Sequence, residues 1–153
     1  MLSVLIIEDE TILAKNIATY LRRLNHDVKH AETGEQGLAL VESERPDVVI
    51  LDYNLPGMDG LELLPRIQAI DPNIKTIMAT GQGSEQLAVD AMKAGAQDYL
   101  VKDRMTAASL HLAVSRAYEK VGLLRALQTE RDRLALELAE MQKTMKGLAE
   151  GGP

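Results

Sequence analysis

Cysteine is absent from this chain, and so are phenylalanine and tryptophan. Without thiols there is no disulfide framework, no thiolate metal site and no cysteine nucleophile, which suits a reducing compartment. Without the two large aromatics, Leu, Ile, Val, Ala and Met must fill the core. Long hydrophobic runs are missing too. The longest, such as VLII and VVIL, are far too short to cross a bilayer. The N-terminus lacks the basic start and extended apolar segment of a secretory signal. Basic excess is also lacking: 17 Lys and Arg face 23 Asp and Glu, a net charge of −6. Residues 1–122 hold 12 basic against 18 acidic side chains, and residues 123–153 hold 5 of each. No basic patch is present, which argues against direct nucleic-acid binding. The profile is that of a soluble cytoplasmic protein with no membrane segment.

What is present is a chain of 153 residues, enough for one domain with a real core and something left over. Five short apolar runs recur: residues 2–7, 27–31, 47–51, 74–79 and 97–101. The first, third and fourth are nearly continuous hydrophobics, as strands buried on both faces require. The second and fifth are weaker and belong towards the edges. Between them, residues 11–24 carry Ile12, Leu13, Ile17, Ala18, Leu21 and Leu24 on one helical side. Residues 34–43, 58–70 and 84–94 fit shorter helices, and Gly95 marks a helix stop. Strict alternation of strand and helix predicts an α/β fold, a parallel sheet with helices on both faces.

Ligands bind open parallel sheets beyond the carboxyl ends of the strands. The first strand delivers Glu8 and Asp9 to that rim, the third Asp52, the fourth Thr80 followed by Gly81, and the fifth Lys102. Taken singly, each has an ordinary reading: an acid or threonine after a strand is commonly a cap, and a lone lysine is commonly solvated. Together they form a chemical set. Two carboxylates about 5 Å apart repel by about 3 kcal/mol at an effective dielectric of 20, so three need compensation. Lys102 supplies one positive charge, and a hard divalent cation with oxygen ligands and open water positions, magnesium, supplies the remainder. Asp52 can then act as nucleophile towards a phosphoryl group, giving an aspartyl phosphate, with Thr80 and Lys102 on the phosphoryl oxygens.

IIEDE (6–10), LDYNLPGMDG (51–60), the ATG ending at Gly81 and AGAQDYLVK (94–102) together resemble the receiver domain of two-component response regulators, over about residues 2–121. The resemblance implies a flavodoxin-like, doubly wound five-stranded sheet of order 2-1-3-4-5. It implies that Asp52 accepts phosphate from a sensor histidine kinase or a phosphotransfer protein. Glu8 and Asp9 would hold Mg2+ with Asp52 and the backbone carbonyl of Asn54. Lys102 would pair with the phosphoryl group, and Thr80 and Tyr99 would move together as a switch. On that reading the chain is a signalling phosphoacceptor rather than an enzyme, with limited self-phosphorylation and self-dephosphorylation. Receivers usually place proline after the lysine, often with a cis bond. Here Asp103 follows Lys102, and a cis bond before a non-proline residue costs about 2.5–4 kcal/mol, so a trans bond is expected.

From about Thr106 the pattern is helical without a break. Leu110, Ala117, Leu124, Arg131, Leu138 and Met145 recur every seventh residue, as do Ala113, Lys120, Leu127, Leu134, Met141 and Leu148. The series interleave as a and d positions of a heptad and pass through Gly122 in frame. If wholly helical, residues 106–148 would run about 65 Å. Three segments are expected: a receiver domain at 1–121, a helical extension at 122–148 continuous with the last receiver helix, and a flexible end at 149–153. The Leu/Met stripe predicts a parallel homodimeric coiled coil, which Arg131 at an a position weakens while helping to fix its register, against the alternative of an amphipathic helix folded back on the domain. The e and g positions carry few complementary charges and do not decide strand orientation. The chain carries no evident output motif, so it acts by contact or precedes an output domain. Two other classes compete. A phosphate-ester hydrolase of the haloacid dehalogenase type needs an acid two residues after the nucleophile, where this chain has Asn54. A receiver-like scaffold would assemble through its coil independently of phosphorylation.

Overall fold

The computed structural model describes residues 1–81 and 85–150. Its elements are β1 (Ser3–Ile7), α1 (Thr11–Arg23), β2 (Asp27–Ala31), α2 (Gly34–Glu44), β3 (Val48–Asp52), β4 (Asn54–Leu55), β5 (Met58–Asp59), α3 (Gly60–Ile70), β6 (Lys75–Thr80), α4 (Glu85–Lys93), β7 (Asp98–Val101) and α5 (Ala107–Glu150). The main sheet has the order β2-β1-β3-β6-β7 and is parallel throughout, which is 2-1-3-4-5 of its own strands. This is the flavodoxin-like sheet order expected from the sequence. The two weaker apolar runs form the edges, β2 and β7.

Alternation along the strands divides the core. Leu5, Ile7, Val49, Leu51 and Met78 join one cluster with Val41 of α2, Leu63, Leu64 and Ile67 of α3, and Ala91 of α4. Val4, Ile6, Val48, Ile50 and Ile77 point the other way and are equally buried. Each fully buried Leu or Ile contributes about 1.5–3 kcal/mol relative to exposure. The chain divides into two compact units, Met1–Tyr118 and Glu119–Pro153.

Several boundaries differ from expectation. Residues 58 and 59 are not helical. They pair antiparallel with Asn54 and Leu55, closed by Pro56 and by Gly57 at φ 77°. A proline followed by a positive-φ glycine is the chemistry of a type II turn. Helix α3 therefore starts at Gly60, capped by the Asp59 side chain, which accepts from the Glu62 N–H at 2.8 Å. Of the predicted helix 84–94, Ser84 lies outside the described residues, and Gly95 ends the helix at φ 107°. Helix α5 runs through Ala149 and Glu150, two residues into the predicted flexible end, and residues 151–153 lie outside the described residues. No described peptide bond is cis, including the one before Asp103.

Candidate functional site

Three strand ends and one loop assemble the site. The β1 backbone is locked on both sides, Ile7 registering with Ala31 of β2 and Leu51 of β3. The chain leaves the sheet at Glu8, whose N–H still reaches the Ala31 carbonyl at 3.0 Å. Asp52 is the last residue of β3 and registers with Ala79. Its carboxylate is buried, and Oδ1 accepts the Asn54 N–H at 3.1 Å. The Asn54 side chain is exposed.

Glu8, Asp9 and Asp52 each place one carboxylate oxygen within 4.8 Å of the others. Glu8 and Asp52 are buried, while Asp9 is exposed. The Lys102 ammonium enters this group from the end of β7. It lies 2.6 Å from Glu8 Oε1, 3.1 Å from Asp52 Oδ1 and 3.5 Å from Glu10 Oε1. Burial, with the hydrogen bond and negative charge of Asp52, pushes the Glu8 carboxyl up to about 8, although Lys102 pulls it down. Burial also works to lower Lys102, but its hydrogen bonds to Glu8 and Asp52 outweigh that and hold the ammonium above its ordinary value. The acids are thus crowded enough that one resists ionising, and a lysine occupies part of the space between them.

This donor set fits a hard divalent cation. It offers carboxylate oxygens only, from elements fixed by the sheet, with one ligand on the solvent side for entry. The raised Glu8 marks the electrostatic cost that a cation would offset.

Thr80 ends β6, wholly buried, and registers with Val101. Tyr99 registers with Met78 and is partly buried against the apolar cluster. Asp103 is exposed. Lys102 reaches the acids from a short 3-10 turn, Lys102–Arg104.

Two contributors escaped the sequence reading. Glu10 is a third acidic partner of Lys102, and the acid run at 8–10 was the only signal for it. His30 holds the loop from beneath: its Nε2 donates to the Glu8 carbonyl at 2.6 Å. A polar residue near the end of edge strand β2, in register with Ile6, was visible but had no stated purpose.

The comparisons agree with this geometry. The sequence profile "Response regulator receiver domain" matches residues 4–115. The chain is 38% identical over 103 residues to the chemotaxis protein CheY of Listeria monocytogenes, covering 67% of this chain and 87% of that protein. The signal receiver domain of a putative LuxO repressor from Vibrio parahaemolyticus superposes with TM-score 0.76 at 34% identity, covering 81% of this chain and 95% of that one. NtrX from Brucella abortus superposes with TM-score 0.79 at 31% identity, over 87% of this chain but only 30% of its own length. With a family match over residues 4–115 and a relative 38% identical over two thirds of its length, this chain belongs to the response regulator receiver domain family.

Proposed function

We propose that this chain is a phosphorylation-dependent response regulator. Asp52 accepts a phosphoryl group from a phosphohistidine of a sensor histidine kinase or phosphotransfer protein, in a reducing cytoplasmic setting. The carrying observation is the set of contacts at Asp52: a buried carboxylate with Lys102 at 3.1 Å and two further acids within 4.8 Å.

Glu8, Asp9, Asp52 and the backbone carbonyl of Asn54 are the residues that would hold Mg2+. Bound there, the ion offsets the negative charge of the carboxylates and of the incoming phosphoryl oxygens. An Asp52 oxygen attacks phosphorus, the phosphorus–nitrogen bond breaks, and the donor imidazole leaves with the electron pair. Lys102 exchanges a carboxylate partner for a phosphoryl oxygen. The Thr80 hydroxyl donates to another, and Tyr99 moves inward with it. Hydrolysis of the acyl phosphate by water resets the site. The neutral Asn54 leaves the position two residues beyond Asp52 without an acid, which disfavours turnover of phosphate esters.

Output runs through α5, continuous from Ala107 to Glu150, whose distal stripe dimerises and passes the phosphorylation state onward, to a contact partner or an output domain. Lys102 contacts Glu8 and Asp52 with the Lys102–Asp103 bond trans and Asp103 exposed, which favours the phosphoacceptor reading over a scaffold.

Incubation with Mg2+ and a small-molecule phosphodonor, followed by intact mass and light scattering, tests both halves. One added phosphoryl group, absent from Asp52→Ala, is expected together with a change in association. Assembly that ignores phosphorylation would favour the scaffold.

A further inference from the structure

The distal part of α5 is a single helix whose apolar stripe is open. Leu127, Leu134, Leu138, Met141, Met145 and Leu148 are each more than half exposed. With Leu124, Arg131, Leu138 and Met145 at a, and Leu127, Leu134, Met141 and Leu148 at d, the flanks are unequal. The g flank carries Glu130 and Glu137, while the e flank carries Gln128, Ala135, Gln142 and Ala149, with no charge. Arg133, at c, bonds both acids, to Glu130 and to Glu137 at 2.6 Å, and so anchors them beside the stripe.

That asymmetry selects an occupant and a direction. We propose that the stripe is covered by the same stripe of a second copy of this chain, parallel and in register, with each Arg131 beside the partner's Glu130. This rests on the dimerising-helix reading above and adds the g-flank argument for orientation and the Arg131–Glu130 pairing that sets register. In an antiparallel pair, g positions face g positions. The two registers that centre this segment set Glu137 against the partner's Glu137, or Glu130 against the partner's Glu137. In a parallel pair, g faces e, so Glu130 meets the partner's Ala135 and Glu137 the partner's Gln142, and no like charges meet on the flanks. Knobs at a enter holes that include the preceding g residue of the facing helix. The Arg131 layer therefore places two Arg131 guanidinium groups beside two Glu130 carboxylates, each of which also bonds Arg133 of its own chain. A slip of one heptad would put one Arg131 beside the partner's Leu123 instead of an acid. A polar a residue trades stability for register in this way.

The chain's lack of cysteine makes the test clean. Single variants Leu127→Cys, Leu148→Cys, Met145→Cys and the outward-facing control Leu136→Cys are oxidised in the full chain, alone and mixed. Self-crosslinking of Leu127→Cys and of Leu148→Cys is expected, at yields several-fold above Leu136→Cys. Glu130→Lys should weaken association at least several-fold, and Arg131→Leu should strengthen it. Crosslinks found only between Leu127→Cys and Met145→Cys would mean an antiparallel pair and overturn the proposal, as would a monomer throughout. Repeating the oxidation in Asp52→Ala separates the two readings. Self-crosslinks at both ends that persist there, with association blind to phosphorylation, would leave orientation standing and overturn only the signalling role. Loss of end-to-end self-crosslinking with intact phosphorylation would overturn orientation alone.

Discussion

Lys102 places its ammonium 2.6 Å from the Glu8 carboxylate, so one basic and one acidic side chain far apart in sequence meet beside Asp52. The same ammonium bonds Asp52 at 3.1 Å. It thereby competes for two of the three carboxylates that would hold a cation. Lys102→Met should bind Mg2+ more tightly than the parent, by about tenfold, which is about 1.4 kcal/mol. That is modest beside the several kcal/mol that Coulomb's law gives unit charges at this spacing. Phosphorylation from a small donor should nevertheless slow, because a ligand of the phosphoryl oxygens is lost. Titration calorimetry and the rate of mass gain read the two effects separately. Weaker Mg2+ binding in Lys102→Met would contradict the competition.

His30 supports the acid loop through the Glu8 carbonyl at 2.6 Å. Groups that orient ligands from behind commonly affect metal affinity by about 10–100-fold. His30→Ala is expected near the lower end of that range, since Glu8 N–H keeps its bond to Ala31. His30→Gln, which restores an N–H donor, should recover part of the loss. Equal Mg2+ affinity in all three proteins would remove His30 from the site.

Gly60 packs directly against the Asp52 backbone. A Cβ there would stand 2.9 Å from the Asp52 carbonyl oxygen, 2.9 Å from Tyr53 Cα and 2.8 Å from Met78 Sδ. Two of those atoms are backbone and cannot step aside. Gly60→Ala should cost about 1–3 kcal/mol in denaturant unfolding, the usual range for overpacking, and should slow phosphorylation by shifting Asp52.

How far such details could be read beforehand depends on which force sets them. The buried strands were legible because VLII and VVIL admit one environment, and Glu8, Asp9 and Asp52 followed as what those strands deliver to the rim. Edge positions for β2 and β7 were legible from their thinner apolar content. The β4–β5 hairpin was not, because two-residue strands carry no periodicity; the Pro56-Gly57 pair was its trace. Lys102 could be assigned to the rim but not to Glu8 and Glu10, since long side chains choose partners by tertiary geometry. The bond from His30 to the Glu8 carbonyl was invisible for the same reason. The heptad in α5 was plain in sequence, whereas the end of the helix was not: Ala149 and Glu150 continue it without any stop residue before Gly151.

His26 predicts a pH dependence away from the site. Its Nδ1 accepts the Leu2 N–H at 3.1 Å. Burial first, then the N-terminal ammonium and His111, lowers its pKa from the ordinary value of about 6.5. The unfolded chain therefore binds the proton more readily. The His26 contribution to stability is fully present above about pH 6.5 and is lost as pH falls from there through the folded value. Glu8, raised in the folded state, works in the opposite direction, so the parent alone mixes the two. Urea unfolding of the parent and His26→Gln between pH 7.5 and 5.5 isolates His26 as the difference in slope. Parallel slopes would contradict this assignment.

The central claim is that Asp52 carries the phosphoryl group. The most direct measurement is borohydride reduction of the chain after treatment with Mg2+ and a phosphodonor, followed by peptide mass mapping. An acyl phosphate on Asp52 is reduced to homoserine, so homoserine at position 52, and at no other acid, is the predicted result. Homoserine at Asp9, the corresponding reduced alcohol 5-hydroxynorvaline at Glu8, or no reduced acid anywhere in a sample whose intact mass shows phosphorylation, would contradict the account.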